Sequence, residues 1–210
     1  MGQKSKLSPV IAILDYGMGN LSSVHKAFRY LKSEAVITHS PRILSQAQKI
    51  VLPGVGAFGD AMKELKMRKL IRPILDHLQQ GKKFLGICLG LQLLFEKSEE
   101  NRGVKGLGYF KGTIRRFRTK QAKIPHMGWN QIAISQRHAL LKGVRSNNFF
   151  YFVHSFYAAP NFSNQIALTE HGGEKFASVI SDSHAVAVQF HPEKSQDAGL
   201  RLLKNFIDWH

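Results

Sequence analysis

The chain has 210 residues and a mass of 23.6 kDa, a length that suits one medium-sized domain. Hydrophobic residues make up 43% of the sequence and charged residues 21%, which excludes a disordered or fibrous chain. The sequence has no apolar run near the ~20 residues that a membrane-spanning helix needs. Its single cysteine, Cys88, cannot form an intrachain disulfide, so we expect a reducing, cytoplasmic setting.

Positive charge is concentrated in the middle of the chain. The sequence has 30 Lys and Arg against 14 Asp and Glu, which gives a formal net charge of +16. Residues 101–169 hold eleven of the basic residues and no acidic residue. Such a stretch is compatible with an ordinary soluble surface, or with docking of an acidic protein, a phosphorylated metabolite or nucleic acid.

Strand and helix signals alternate in the first half of the chain. Residues 10–14 form a continuous apolar run, which is typical of a strand buried on both faces. Asn20 can cap the helix that follows, where apolar residues recur at helical spacing. Further strands are predicted at residues 35–38, 50–52 and 84–87, and further helices at residues 70–80 and 89–95. This alternation predicts an α/β fold built of parallel βαβ units.

Short strand-like runs separated by turn residues fill the second half. They lie at residues 113–117, 131–135, 149–153, 165–169, 177–180 and 185–190. We expect them to add antiparallel or mixed strands to a mostly parallel central sheet that is flanked by helices. Ser195 is a candidate cap for a last helix with an apolar stripe. No linker interrupts the pattern, so we expect a basic tail at residues 1–8 and one domain at residues 9–210.

Cys88 lies in a nucleophile-elbow pattern, Gly-Ile-Cys-Leu-Gly, between a predicted buried strand and a predicted helix. The chain turns sharply at such an elbow, and the flanking Gly86 and Gly90 leave room for neighbouring backbone. The helix N-terminus can stabilise a thiolate, and the Leu89 amide can face a developing oxyanion. The ordinary alternative is a cysteine that serves as a small buried hydrophobe.

A cysteine nucleophile needs a base and a group that orients the base. His191 follows an apolar run and therefore lies at the carboxyl end of a predicted strand, where open α/β sheets place their ligands. Glu193 is two residues further on, across a proline that stiffens the turn, so its carboxylate can hold the imidazole. An elbow cysteine followed later in the chain by His-Pro-Glu indicates a catalytic site more specifically than either motif does alone.

A glycine-rich segment follows the strand predicted at residues 50–52. Gly54, Val55 and Gly56 can turn backbone N–H groups inward, which suits the second half of an oxyanion hole. The glycine spacing does not match dinucleotide-binding or P-loop patterns, and a plain strand-to-helix turn is the alternative. Five histidines lack the paired spacing of zinc ligands, so no metal site is predicted. These are His126, His138, His154, His171 and His184.

These residues resemble the class I glutamine amidotransferases, the family with a Cys-His-Glu triad. The shared motifs are GICLGLQ (residues 86–92), HPE (191–193), DYGMGN (15–20), LPGVGAFGDAM (52–62), PHMGWN (125–130), YFVHS (151–155) and QFHPEKSQ (189–196). The last five indicate the branch of the family that serves histidine biosynthesis, and the likeness extends from about residue 10 to the end. Two departures, Leu91 and Phe156, leave the triad intact.

The resemblance implies a flavodoxin-like fold and a role for each matching residue. Cys88 would be the nucleophile, His191 the general base and acid, and Glu193 the orienting carboxylate. The remaining implied sites are the oxyanion hole at Gly54, Val55, Gly56 and Leu89, the glutamine pocket at Gly54, Gln92, Ser155 and Phe156, and the partner interface at Asp15, Asn20, Met127 and Trp129.

The resemblance also implies a partner and no cofactor. The partner would be a (β/α)8-barrel cyclase subunit that forms a heterodimer with this chain and makes imidazole glycerol phosphate and AICAR from the ammonia it receives. We expect low glutaminase activity without it, because a glycine-rich oxyanion loop can rest in an unproductive conformation. We also expect part of the basic stretch to face an acidic surface of the partner.

Three alternatives stay open from the sequence. The glutaminase could feed a different synthase, such as an enzyme that aminates a sugar nucleotide. The site could be inactive, although the complete triad argues against this. The chain could bind nucleic acid through residues 115–120 (RRFRTK), but it contains no recognised nucleic-acid-binding motif, and charge alone does not explain the triad residues.

Overall fold

The computed structural model describes residues 11–159 and 164–210. Thirteen strands lie in these ranges: β1 (Ile11–Leu14), β2 (Ala35–Thr38), β3 (Lys49–Gly54), β4 (Lys83–Cys88), β5 (Phe95–Ser98), β6 (Phe110–Arg116), β7 (His126–Gln131), β8 (Ala133–Ile134), β9 (Phe149–His154), β10 (Phe156–Ala158), β11 (Gln165–His171), β12 (Glu174–Ser181) and β13 (Ala185–Val188). The predicted basic tail, residues 1–8, lies outside the described residues.

Six α-helices connect or flank these strands in the same part of the chain. They are α1 (Leu21–Tyr30), α2 (Pro41–Gln46), α3 (Phe58–Met67), α4 (Ile71–Gln79), α5 (Leu89–Leu93) and α6 (Gln196–Asp208). Asn20 caps α1 as predicted, because its side-chain oxygen accepts a hydrogen bond from the Ser23 amide at 3.2 Å. None of the described helices is long and apolar enough to cross a membrane.

The central sheet has eight strands in the order β2-β1-β3-β4-β13-β12-β11-β8 among the described residues. The first five strands are parallel to one another, and the remaining three pair antiparallel. The expected α/β fold, a mostly parallel sheet with added antiparallel strands, is therefore confirmed. The parallel strands β1, β3, β4 and β13 end at one edge of the sheet, where α/β proteins place their ligands.

Helices cover both faces of the parallel strands, and each face has its own apolar core. Side chains alternate along β1, so that Ile11 and Ile13 pack with residues of α1 and α6, whereas Ala12 and Leu14 pack with residues of α2, α3 and α4. This burial on both sides explains the continuous apolar runs in the parallel strands.

Three local predictions differ from the structure. The runs at 113–117 and 149–153 do not join the central sheet: β6 belongs to a three-stranded sheet, β10-β6-β5, and β9 pairs with β7 in a two-stranded sheet. The helix predicted at 89–95 ends at Leu93, because Phe95 begins β5 and pairs with Phe110 of β6.

Candidate active site

Cys88 lies at the junction of β4 and α5 with φ 54° and ψ −107°, a backbone conformation that is strained for a residue with a side chain. The two flanking glycines allow this turn. A Cβ atom added at Gly90 would overlap the carbonyl oxygen of Leu52, and one added at Gly86 would lie 2.9 Å from the carbonyl oxygen of Gly90. The elbow that the sequence predicts is present, and it holds the Cys88 sulfur at the carboxyl edge of the sheet.

His191 and Glu193 lie together beside Cys88. A 3-10 turn, Pro192–Lys194, brings the Glu193 carboxylate back to the imidazole. The distance from His191 Nδ1 to Glu193 Oε1 is 2.8 Å, and both side chains are almost fully buried. Burial alone would lower the pKa of His191, but the charge of the Cys88 sulfur and the hydrogen bond to the Glu193 carboxylate raise it to about 10. The imidazole is therefore held as a cation beside the sulfur.

A cavity of about 330 Å³ opens onto the Cys88 sulfur, a size within the range of small-molecule sites. Its wall brings together residues from the elbow, the glycine-rich loop and the turn between β9 and β10. They are Val55, Gly56, Cys88, Leu89, Gln92, Glu100, Pro125, Val153, His154, Ser155 and Phe156. Every residue predicted for the oxyanion hole or the glutamine pocket, except Gly54, lines this cavity.

Gly54 lies directly behind the wall of the cavity. It pairs with Cys88 in the register of β3 and β4, and a Cβ atom at this position would overlap the hydroxyl of Tyr16. Gly56 has φ 101°, which favours glycine, and an added Cβ would lie 2.6 Å from Met18 Cε. Backbone amides of this loop can therefore approach the nucleophile closely. The contacts with Tyr16 and Met18 show that residues 15–20 pack against the loop.

Gln92 is buried in α5 and binds the opposite wall of the cavity. Its Nε2 donates to the carbonyl oxygen of Phe156 at 2.9 Å. The half-buried Ser155 separates β9 from β10, so the backbone at Ser155 and Phe156 borders the cavity at a break between two strands. This arrangement can present backbone groups to an amino-acid ligand, as the resemblance implies.

Two buried side chains beside the triad were not predicted. Gln189 is 0% exposed, and its Nε2 lies 3.8 Å from Cys88 Sγ. Ser195 precedes α6 as predicted, but its hydroxyl makes no capping bond. Its Oγ donates to the His191 carbonyl at 2.6 Å and accepts from the Tyr151 amide at 3.0 Å. Ser195 thus joins the turn that holds His191 to β9. The sequence signal for contact with this turn is, for both residues, their proximity to His191.

Three of the histidines that lack zinc-ligand spacing form a cluster at the cavity wall, which His154 lines. His154 Nδ1 donates to the Phe156 carbonyl at 2.9 Å, and His126 Nδ1 lies 3.0 Å from His154 Nε2. Since His154 Nε2 must then accept, the His126 nitrogen is the donor. The ring of His171 stacks on that of His126 at 4.2 Å. Burial lowers the pKa of His154 to about 3 and that of His126 to about 4.

The four residues predicted to contact a partner lie at two positions. Asp15 Oδ1 accepts a hydrogen bond from the Gly17 amide at 2.9 Å, and Asn20 is exposed at the start of α1. Met127 and Trp129 point outward from β7 with 63% and 46% of their surface exposed. Apolar side chains this exposed are candidates for contact with another protein.

Comparison with known proteins matches residues 12–209 to the family model "Glutamine amidotransferase class-I". The chain belongs to this family. A relative from Syntrophotalea carbinolica, "Imidazole glycerol phosphate synthase subunit HisH", is 46% identical over 95% of this chain and all of its own length. A relative of the same name from Methanothermobacter thermautotrophicus is 48% identical over 95% of this chain and 98% of its own length.

Solved structures with low sequence identity have the same fold. A structure described as a glutamine amidotransferase superposes with a TM-score of 0.75 at 16% identity, and it covers 95% of this chain and 98% of its own. A chain from "Structure of PurLQS from Thermotoga maritima" gives a TM-score of 0.72 at 16% identity, with 96% and 99% covered. The family fold is therefore retained where most of the sequence differs.

Proposed function

We propose that this chain is the glutaminase subunit of an imidazole glycerol phosphate synthase, which hydrolyses L-glutamine to glutamate and ammonia for histidine biosynthesis. The observation that carries this proposal is the match at 46–48% identity to relatives of that name over nearly their whole length. The buried His191–Glu193 pair, together with Cys88 in the wall of a cavity of about 330 Å³, supports it chemically.

The reaction begins with attack of the Cys88 thiolate on the side-chain amide carbon of glutamine. The carbonyl double bond opens, and its oxygen takes the negative charge. The Leu89 amide and the amides of the loop Gly54 to Gly56 face this oxyanion. One such donor lowers the activation barrier by ~3 kcal/mol. His191 then gives its Nε2 proton to the leaving nitrogen, which departs as ammonia and leaves a γ-glutamyl thioester on Cys88.

The second half of the reaction releases glutamate. His191, now neutral, takes a proton from a water molecule, and the hydroxide attacks the thioester carbon. The carbon–sulfur bond breaks, the new γ-carboxylic acid loses its proton to solvent as glutamate leaves, and the thiolate–imidazolium pair is restored. Glu193 holds Nδ1 of His191, so that Nε2 faces the reacting atoms in both steps.

The ammonia formed in this cavity requires a second site. Ammonia in water at neutral pH is mostly ammonium, which is a poor nucleophile, so the product is useful only when it passes directly to an acceptor. We infer a cytoplasmic heterodimer with a (β/α)8-barrel cyclase that makes imidazole glycerol phosphate and AICAR. Met127 and Trp129 are suited to this contact because they are exposed and apolar, and Asp15 and Asn20 belong to the segment that packs on the oxyanion loop.

Carboxylates from other parts of the chain offset some of the positive charge of residues 101–169 in the folded protein. Glu99 accepts hydrogen bonds from the Arg116 amide at 2.9 Å and from the Arg118 guanidinium at 3.4 Å, and Glu174 accepts from the Arg118 amide at 2.7 Å. Both carboxylates lie outside the acid-free stretch, so its charge is smaller in the fold than along the sequence. The remaining positive charge supports an acidic partner surface more than it supports nucleic-acid binding.

Coupled turnover tests this proposal. The chain is co-purified with the histidine-branch cyclase or with a sugar-nucleotide synthase, and glutamate formation is followed with and without each acceptor. We expect little glutamate from the isolated chain and a large rise only with the cyclase and its acceptor. A rise in glutamate formation with the sugar-nucleotide synthase instead would assign the chain to a different pathway. Cys88→Ala is the control for glutamine hydrolysis at this site.

A further inference from the structure

We propose that Gln189 is a further catalytic residue, whose side-chain amide donates a hydrogen bond to the Cys88 sulfur and stabilises the thiolate. Gln189 follows β13 directly and is 0% exposed. Its backbone amide donates to the Ser178 carbonyl at 2.9 Å, which fixes the position of the residue beside β12. This inference rests on the glutaminase chemistry of the site and is independent of which acceptor receives the ammonia.

Gln92 decides which end of the Gln189 amide faces the sulfur. Gln92 Nε2 donates to the Phe156 carbonyl at 2.9 Å, and a backbone carbonyl can only accept, so the orientation of the Gln92 amide is fixed. The same nitrogen lies 3.3 Å from Gln189 Oε1. If Gln189 were reversed, two N–H groups would face each other at a buried site. Its oxygen therefore faces Gln92, and its NH₂ group faces Cys88.

The two hydrogen-bond contacts of Cys88 Sγ act in opposite directions. The Val153 carbonyl oxygen, at 3.9 Å, can only accept, so it favours the protonated thiol. Gln189 Nε2, at 3.8 Å, can only donate, so it favours the thiolate. When His191 takes the thiol proton, the Val153 contact loses its hydrogen and the Gln189 contact becomes a charge-assisted bond.

The need for such a donor follows from the shortness of α5. The sequence predicts that a helix N-terminus stabilises the thiolate, but α5 has only five residues, and a helix of that length supplies little dipole. The charge on the sulfur therefore depends on His191 and on Gln189. Gln189 differs from the oxyanion donors because it binds the nucleophile before the substrate arrives.

Reaction of the isolated full chain with iodoacetamide tests the proposal directly, since Cys88 is the only cysteine. Gln189→Glu keeps the shape of the side chain and the acceptor for Gln92, but it replaces the donor with a carboxylate oxygen. Gln189→Met removes the amide without adding charge. We expect alkylation at pH 7.5 to slow about 10-fold in Gln189→Met and more in Gln189→Glu. The midpoint of the pH profile of alkylation should move upward in both.

The kinetics of glutamine hydrolysis by the complex distinguish stabilisation of the thiolate by Gln189 from a role in packing alone. We expect kcat for glutamine hydrolysis to fall in parallel with alkylation while KM stays within about twofold. Gln131→Met, at an exposed position of β7, is the matched control and should alkylate at the wild-type rate. Wild-type alkylation and kcat in a folded Gln189→Met variant would overturn the proposal, as would a rise in KM alone.

A measurement on the unmodified sequence covers the case in which neither variant folds. With ¹⁵N-glutamine labelling, the Gln189 side-chain amide should shift along the same pH profile as Cys88 alkylation, and the shift should disappear after Cys88 is alkylated. A Gln189 amide signal that is insensitive to the state of Cys88 would contradict the hydrogen bond.

Discussion

Buried imidazoles have opposite charge states in two neighbouring regions of this molecule. In the triad, the pKa of His191 is raised to about 10, and the ring is a cation. In the cluster at the cavity wall, burial lowers the pKa of His154 to about 3 and that of His126 to about 4, so these rings are neutral. All three side chains are less than 7% exposed, and burial lowers the pKa at every site.

The partners of each ring explain the difference. His191 faces the Glu193 carboxylate and the Cys88 sulfur, whose negative charges outweigh the cost of desolvating an imidazolium. His154 faces a neutral carbonyl and a neutral imidazole, which cannot offset that cost. The same residue type is therefore a cation in one region and a neutral ring of fixed tautomer in the other. The fixed tautomer keeps the Phe156 carbonyl in place at the edge of the cavity.

Loss of the Glu193 charge should have the largest effect, because this charge distinguishes His191 from the neutral histidines. Glu193→Gln keeps the size of the side chain but loses the charge that holds His191 as a cation. We expect kcat for glutamine hydrolysis in the complex to fall by a factor on the order of 10² to 10⁴, with a smaller change in KM. Asp76→Asn, which removes a half-buried carboxylate on α4 that pairs with Arg72, is the control. Wild-type kcat in Glu193→Gln would show that Glu193 does not orient the base.

His154 and His191 should also affect the free energy of unfolding in opposite directions as the pH changes. An unfolded histidine titrates near pH 6.5, whereas folded His154 stays neutral to about pH 3. As the pH falls below 6.5, the unfolded state takes up protons that the folded state excludes, so the free energy of unfolding decreases. His154 alone should contribute a loss on the order of 2 kcal/mol between pH 7 and pH 5. The folded pKa of His191 is raised, so its contribution is present at acidic pH and lost toward pH 10.

Urea unfolding at several pH values measures this slope. His154→Asn should unfold with a shallower slope between pH 7 and pH 5, whatever its absolute stability. His39→Asn, at an exposed position after β2, should keep the wild-type slope. An unchanged slope in His154→Asn would mean that this imidazole is not held neutral by the fold.

The local pattern of the sequence was sufficient for the elbow and for the parallel strands. Gly86, Cys88 and Gly90 form a motif whose backbone demands are satisfied within a few residues and one neighbouring strand. The apolar runs of β1, β3, β4 and β13 required only burial on both faces. Placement of His191 and Glu193 followed because parallel strands end at one edge of the sheet.

The missed features depend on contacts between segments far apart in the chain. Alternation identified β6 and β9 as strands, but it could not show that they pair in small separate sheets. The early end of α5 follows from pairing of Phe95 with Phe110. The role of Ser195 requires β9 to lie beside the catalytic turn, where the Tyr151 amide can reach its hydroxyl.

Covalent labelling by a glutamine analogue tests whether Cys88 is the nucleophile for glutamine hydrolysis. The complex is incubated with 6-diazo-5-oxo-L-norleucine, and the modified peptide is located by mass spectrometry. We expect one adduct, on Cys88, that forms in step with loss of glutaminase activity, is prevented by excess glutamine and slows strongly in His191→Asn. Full glutaminase activity after complete modification of Cys88, or an adduct on a different residue that accounts for the loss, would contradict this role of Cys88.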